Sequence, residues 1–354
     1  MRQYGNSWIG SRKLKYFVTG HTGFKGSWLL LKLREKGHEV IGYSLDPLEN
    51  GIYETAQLST IVEKDIRMDI RDYESLESEI NKAQPEIVVH LAAQPLVGAS
   101  YENPSDTFEI NVTGTLNLLR ACQTAPSIKA IAVITTDKVY ENLNQRRPFV
   151  ENDPLGLGDP YSTSKAMADL LTQSWMKSVA KVPVGVFRAG NVIGGGDVSP
   201  NRLIPDIVNA QRSNRPVQLR NPSAVRPWQH VLDCLEGYQR AIDWMLANEK
   251  NIVLNFGPDY SEYRTVGEIA KDYVQISGRG SIEILNRSGF PEADFLTLDS
   301  SRARSTLNWN DKLSLQETLK WTHEWYLRQD ERLNVLDISI QQIREYEKMS
   351  SCRG

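Results

Sequence analysis

Short apolar, β-branched runs alternate along the chain with longer segments whose apolar residues recur at helical spacing. The runs at 16–18, 40–43, 87–91, 130–134, 184–187 and 252–256 predict strands. Several are apolar throughout, as strands covered on both faces are. Between them, 26–36, 73–82, 104–123 and 161–179 predict helices. The alternation predicts an α/β fold, a Rossmann-like doubly wound parallel sheet. The segments 199–222 and 257–290 are richer in Pro, Gly, Asn and Arg and predict a smaller C-terminal lobe. The stretch after Arg328 reads as a charged, exposed helical tail. The expected division is a first domain of 1–188 with about 228–258, a second lobe of 189–227 and 259–330, and a tail of 331–354.

The first strand runs into Thr19-Gly20-His21-Thr22-Gly23-Phe24-Lys25-Gly26 and then a helix. Glycines at 20, 23 and 26 permit a tight turn and close approach of backbone to a diphosphate, which the free N–H groups of a helix start attract. The spacing is GxxGxxG, which a plain strand-to-helix turn also satisfies. At the end of the second strand, where a carboxylate would accept from an adenosine ribose, stands Ser44, with Asp46 two residues on. NAD is the expected cofactor and NADP stays open. Asp69 reads equally as an adenine contact or a solvated loop carboxylate.

Tyr161-Ser162-Thr163-Ser164-Lys165 opens a predicted helix, so Tyr161 and Lys165 share a face. A free phenol has a pKa of about 10; the Lys165 cation would favour its anion. The strand 130–134 leads into Thr136-Asp137-Lys138, which projects from the carboxyl edge of a parallel sheet, where such folds bind ligands. An adjacent acid and amine offer one proton donor and one acceptor, although a surface Asp–Lys pair has the same sequence.

Composition narrows the class. With 40% hydrophobic and 24% charged residues, the 354-residue chain has the make-up of a globular protein large enough for two lobes. A net charge of −3 without basic runs argues against nucleic acid or a membrane surface as partner. Cys122, Cys234 and Cys352 form no CxxC pair, and the histidines show no ligand spacing, so neither disulfides nor a metal is expected. Residues 1–15 lack the apolar stretch of a signal peptide, and no window is apolar enough to span a bilayer. A cytoplasmic location is the expectation.

Together these elements resemble the extended short-chain dehydrogenase/reductase superfamily over nearly the whole chain, and within it the CDP-glucose 4,6-dehydratase family. The resemblance is carried by residues 18–28 (Val-Thr-Gly-His-Thr-Gly-Phe-Lys-Gly-Ser-Trp), 92–97 (Ala-Ala-Gln-Pro-Leu-Val) and 159–162 (Asp-Pro-Tyr-Ser). It continues through 188–197 (Arg-Ala-Gly-Asn-Val-Ile-Gly-Gly-Gly-Asp), 201–206 (Asn-Arg-Leu-Ile-Pro-Asp), 226–231 (Arg-Pro-Trp-Gln-His-Val) and 255–258 (Asn-Phe-Gly-Pro). The chain departs from the family at Gly98, where Arg is usual, at Val198, where Trp is common, and along 142–149, which lacks an aromatic-rich pattern.

The resemblance implies an enzyme acting on a nucleotide sugar. Tyr161 would take the proton from the sugar O4 while hydride leaves C4 for NAD. Lys138 would then remove the C5 proton and Asp137 protonate the departing 6-hydroxyl, before hydride returns to C6. Thr136 would bond near O4, and Lys165 would hold the nicotinamide ribose. Cofactor contacts are implied for Gly20, Thr22, Gly23, Phe24, Lys25, Gly26, Ser44, Asp69, Ile70, Ala92, Ala93, Gln94, Asn111, Tyr161 and Lys165. Substrate contacts are implied for Gln94, Asn191, Arg202, Leu203, Arg226, Gln229 and His230. CDP-glucose is the implied substrate, and a homodimer through helices 104–123 and 161–179 is implied. A 4-epimerase would need Tyr161 and Lys165 but no acid and base after Thr136. A cofactor-binding sensor without catalysis would be expected to lose the Tyr or the Lys. A 4,6-dehydratase for another nucleotide sugar remains a third alternative.

Overall fold

The computed structural model describes residues 12–143, 145–285 and 293–349. Cys352, most of the polar N-terminal segment and the end of the 257–290 segment lie outside them.

Seven parallel strands form one sheet: β1 (Lys15–Thr19), β2 (Glu39–Ser44), β3 (Lys64–Arg67), β4 (Ile87–His90), β5 (Ala130–Thr136), β6 (Val184–Ala189) and β7 (Ile252–Phe256). Their order is β7-β6-β5-β4-β1-β2-β3. The chain winds outward from β1 through β2 to β3, then returns to β4 on the other side of β1. This reversal opens a crevice at the carboxyl ends of β1 and β4, the place where doubly wound sheets take their ligands. Six of the strands are those expected. The seventh, β3, reads Lys-Asp-Ile-Arg and buries only Ile66, so its edge position leaves no apolar run to detect.

Successive strand residues feed opposite layers, as a period of two requires. Val18 joins Trp28, Leu29, Val231, Leu235 and Phe256 on one face, under α1 (Phe24–Glu35). Phe17 joins Val88, Val133 and Val186 on the other. That face is covered by α2 (Tyr73–Ala83), α3 (104–121) and α4 (Pro160–Ser178). The expected helix 104–123 is α3, interrupted: Pro104–Phe108 and Gly114–Ala121 flank a π-helical turn at Glu109–Thr113. α4 starts where Asp159 accepts from the Ser162 N–H and Pro160 fills the first turn, a helix start its sequence announces.

The second half adds α5 (Leu203–Arg212), α6 (Val231–Asn248), α7 (Val266–Ser277), α8 (Leu315–Asp330) and α9 (Val335–Lys348). Short strand pairs join Val217–Leu219 to Ile282–Ile284, and Val225–Arg226 to Arg264–Thr265. The stretch after Arg328 is not an exposed tail. Val335, Ile338, Ile343 and Tyr346 of α9 are buried, and α9 packs on α1. Its charged positions hide a regular apolar stripe. No helix among the described residues is long and apolar enough to cross a membrane.

Candidate active site

The turn after β1 gives its glycines different tasks. Gly20 has φ +73°, and a side chain there would sit 2.5 Å from the Ala92 nitrogen. At Gly26 a Cβ would come within 2.1 Å of the Gly20 carbonyl oxygen. At Gly23 nothing lies closer than 3.4 Å. Gly23 is also the N-cap of α1, whose first turn carries no side-chain cap and no acidic residue. A bare helix start beside an open glycine fits the diphosphate of a dinucleotide. Beside it, the Thr22 and Ser44 hydroxyls bond each other at 2.8 Å, and no carboxylate takes their place at the end of β2. Asp69 is held by the Arg71 fork, and Ile70 is buried against Gly114.

The carboxyl ends of β1, β4, β5 and β6 open onto a cleft of about 900 Å3. Phe24, Lys25, Ala93, Thr136, Asp137, Lys138, Tyr161, Lys165, Asn191, Arg202, Leu203 and Arg226 all line it. Gly98 lines it too, at a departure from the family pattern.

Within the cleft, the Thr136 hydroxyl donates to Asp137 Oδ1 at 2.9 Å and lies within hydrogen-bonding reach of Tyr161. Asp137 Oδ2 is buried with no hydrogen-bond partner. Burial raises the Asp137 pKa against the pull of Lys138, Arg226 and Lys25, which favours the protonated acid. Lys165 Nζ donates to the Ile134 carbonyl at 2.9 Å. Burial, with the Lys25 charge nearby, brings the Lys165 pKa down to about 8. Burial pushes the Tyr161 phenol up to about 12, against the Thr136 hydrogen bond and the Arg202 charge.

The 191–202 loop is fixed by aromatic packing. Trp28 Nε1 donates to the Gly195 carbonyl at 2.9 Å, and Gly195 faces Trp325 so closely that a Cβ would lie 2.1 Å from its ring. Tyr326 donates to the Asp197 carbonyl at 2.7 Å, and the Asp197 carboxylate accepts from Arg202 at 3.3 Å. Arg226 is buried, its backbone paired with Arg264. Arg202 and Arg226 thus both line the cleft, an arrangement suited to phosphate oxygens.

Other expected contacts lie off the cleft. The Gln94 amide donates to Thr107 at 2.9 Å and its oxygen accepts from the Leu96 N–H, so it braces its own loop. Asn111, inside the π-helical turn, accepts from the Gln94 N–H and donates to Ser164 of α4. Gln229 is buried and donates to Asp311. His230 is the N-cap of α6, its Nδ1 accepting from the Leu232 N–H at 3.2 Å. Substrate contact was expected of Gln94, Gln229 and His230; none of the three lines the cleft, and Gln229 Oε1 and His230 Nε2 are buried without a hydrogen-bond partner. Asp197, which steers Arg202, and Arg220, on the cleft wall, were not singled out beforehand. Asp197 ends the Gly-Gly-Gly-Asp string, whereas nothing in the sequence around Arg220 marks it. Cys122 and Cys234 are buried thiols. Among the described residues no three potential metal ligands cluster.

The sequence profile of the NAD dependent epimerase/dehydratase family matches residues 16–257. The CDP-glucose 4,6-dehydratase of Salmonella typhimurium is 41% identical over 96% of this chain and 97% of its own. The UDP-glucose 4-epimerase of Erwinia amylovora is 28% identical over 88% of this chain and 97% of its own. The fold matches the crystal structure of dTDP-glucose 4,6-dehydratase from Bacillus anthracis in complex with NAD, with a TM-score of 0.77 and 24% identity over 91% of this chain and 99% of that one. With the glycine turn, the Tyr161–Lys165 pair and the family profile all falling on one parallel sheet, this chain belongs to the NAD dependent epimerase/dehydratase family.

Proposed function

We propose that the protein is a hydro-lyase that converts CDP-glucose to CDP-4-keto-6-deoxyglucose. The observation that carries the reading is the buried, unpartnered Asp137 Oδ2 beside Tyr161, on the same turn as Lys138. A 4-epimerase has no use for an acid and a base there. The likeness to a CDP-glucose 4,6-dehydratase supports the choice of substrate.

The α1 N-terminus with Gly20, Gly23, Thr22 and Ser44 would seat NAD, and Lys165 would hold its nicotinamide ribose. When bound, NAD supplies the acceptor and later the donor of one hydride. Tyr161 takes the O4 proton, assisted by the Lys165 cation and oriented by Thr136. Loss of hydride leaves a 4-keto group that acidifies C5–H, and Lys138 removes that proton. Asp137, whose pKa burial raises, delivers a proton to the 6-hydroxyl as water leaves. Arg202, Arg226 and Asn191 hold the diphosphate and nucleotide. The exposed apolar side chains of α4 support a homodimer, and the reduced thiols fit the cytoplasm.

The test is turnover of CDP-, UDP-, GDP- and dTDP-glucose followed by proton NMR, with substoichiometric NAD. CDP-glucose should give the 4-keto-6-deoxy product fastest, while a C4 epimer as the product would overturn the reading. Tyr161→Phe should show no NADH absorbance in a single turnover, with a loss of about 100-fold or more. Lys138→Ala should form NADH and stop at the 4-ketone. Wild-type deuterium exchange at C5 in Lys138→Ala would transfer that proton to another base.

A further inference from the structure

The catalytic helix meets β5 in three successive steps. Tyr161 reaches Thr136, Lys165 donates to the Ile134 carbonyl, and Asp169 accepts from the Thr135 hydroxyl at 3.0 Å. These residues of α4 are spaced by four, about 6 Å of rise per step. The first two steps belong to the site; in the third, Thr135 lines the cleft but Asp169 does not. Asp169 is fully buried and is gripped by both arms of Arg188, Nε to Oδ2 at 2.8 Å and NH2 to Oδ1 at 2.8 Å. Arg188 stands opposite Thr135 in the β5–β6 register. Its remaining nitrogen donates to the Tyr140 hydroxyl at 2.8 Å and to the Glu151 carbonyl at 3.0 Å. Tyr140 in turn donates to Asn255 at the end of β7 and stacks on Phe149 at 4.8 Å.

Arg188 therefore touches both flanks of the Thr136–Lys138 turn, through Thr135 by way of Asp169 and through Tyr140 directly. We propose that the buried Arg188–Asp169 pair is a positioning clamp that fixes the acid–base turn in register with Tyr161 and Lys165. Neither residue lines the cleft, so neither is a catalytic residue. A buried ion pair is weak evidence for stability alone, because desolvation offsets its attraction; this pair instead joins α4, β5, β6 and the catalytic turn at one point.

The clamp rests on the dehydratase reading for its kinetic test. Arg188→Lys keeps the charge and loses the fork. It should lower kcat about tenfold to a hundredfold while KM for CDP-glucose stays within about twofold of wild type. Tyr140→Phe keeps the ring stack and removes the hydroxyl that ties the turn to Arg188 and to Asn255. It should form NADH at the wild-type rate and slow the elimination that follows. Wild-type kcat in Arg188→Lys, or a kcat that falls only with the folded fraction, overturns the clamp. So does wild-type elimination in Tyr140→Phe. A crystal structure of Arg188→Lys decides independently of turnover: the 136–140 turn should shift by about 1 Å against α4, and an unmoved turn overturns the proposal. If the wild type dehydrates no nucleotide sugar, the dehydratase reading fails by itself and that displacement still judges the clamp.

Discussion

Gly23 and Gly26 look alike in the sequence, yet one side-chain carbon has opposite meanings at the two positions. At Gly26 the added carbon would meet a backbone oxygen at 2.1 Å, a neighbour with nowhere to go. Gly26→Ala is expected to destabilise the protein by about 1–3 kcal/mol, read as a lower thermal midpoint. At Gly23 the added carbon would meet only the Gly20 carbonyl oxygen, at an ordinary contact distance of 3.4 Å. Gly23→Ala should keep the wild-type midpoint without ligand and lose NAD affinity by about tenfold or more, since the carbon occupies the diphosphate's place. Calorimetric titration with NAD separates the two, and an equal fall in midpoint for both variants would sink the distinction. The glycine pattern was legible in the sequence; the division of labour needed the third dimension. The same holds for the polar residues. Tyr161, Lys165, Asp137 and Lys138 were readable because their spacing places them at a strand end or on one helix face. Nothing in the sequence signals that a loop brace, Asp311 and the start of α6 engage Gln94, Gln229 and His230. Asp169 gave a signal that passed unread, a third residue four positions after Lys165.

Among the elements, α6 shows how a helix start ties distant segments together. Asp233 in its first turn accepts from the Lys312 N–H at 2.7 Å and from the Tyr346 hydroxyl of α9 at 2.8 Å. Burial, then repulsion from Asp311, raises its pKa to about 8. A carboxyl raised on folding gives stability that is complete below its unfolded pKa of about 4 and is lost as pH climbs through the folded value. The thermal midpoint should therefore fall between about pH 4 and pH 8 through this group. Asp233→Asn cannot titrate, so the gap between variant and wild type should move in the variant's favour across that window. Parallel curves would show that Asp233 is ionised throughout. Element existence was largely visible beforehand, because apolar strands and amphipathic helices announce themselves. β3 was not, having one buried residue, and the π-helical break in α3 was not, since its residues continue the helical spacing.

At the scale of the whole molecule, α3 and α4 lie side by side and present Met167 and Leu170, 45% and 53% exposed, next to the half-buried Phe108, Val112 and Leu116. An apolar stripe across two helices is a surface for association, and the proposed homodimer would cover it. Met167→Glu with Leu170→Glu should convert a dimer to a monomer by light scattering, whereas a monomeric wild type would end the proposal. A different tie spans the length of the chain. Lys32 of α1 is fully buried and donates to Glu236 of α6 at 2.9 Å and to Glu347 of α9 at 2.6 Å. Burial alone would raise Glu236; Lys32 and Lys36 overcome it and hold the carboxylate ionised. Lys32 and Glu347 stand 315 residues apart, so on the ribosome the dinucleotide turn is made long before α9 can anchor the helix behind it. A nascent chain would carry its glycine loop on a helix still lacking one of its anchors, and firm capture of NAD would wait until α9 had been made and docked. A chain stopped after residue 334 should leave α1 open to limited proteolysis and retain no NAD through gel filtration, even though every residue proposed to touch the cofactor is present.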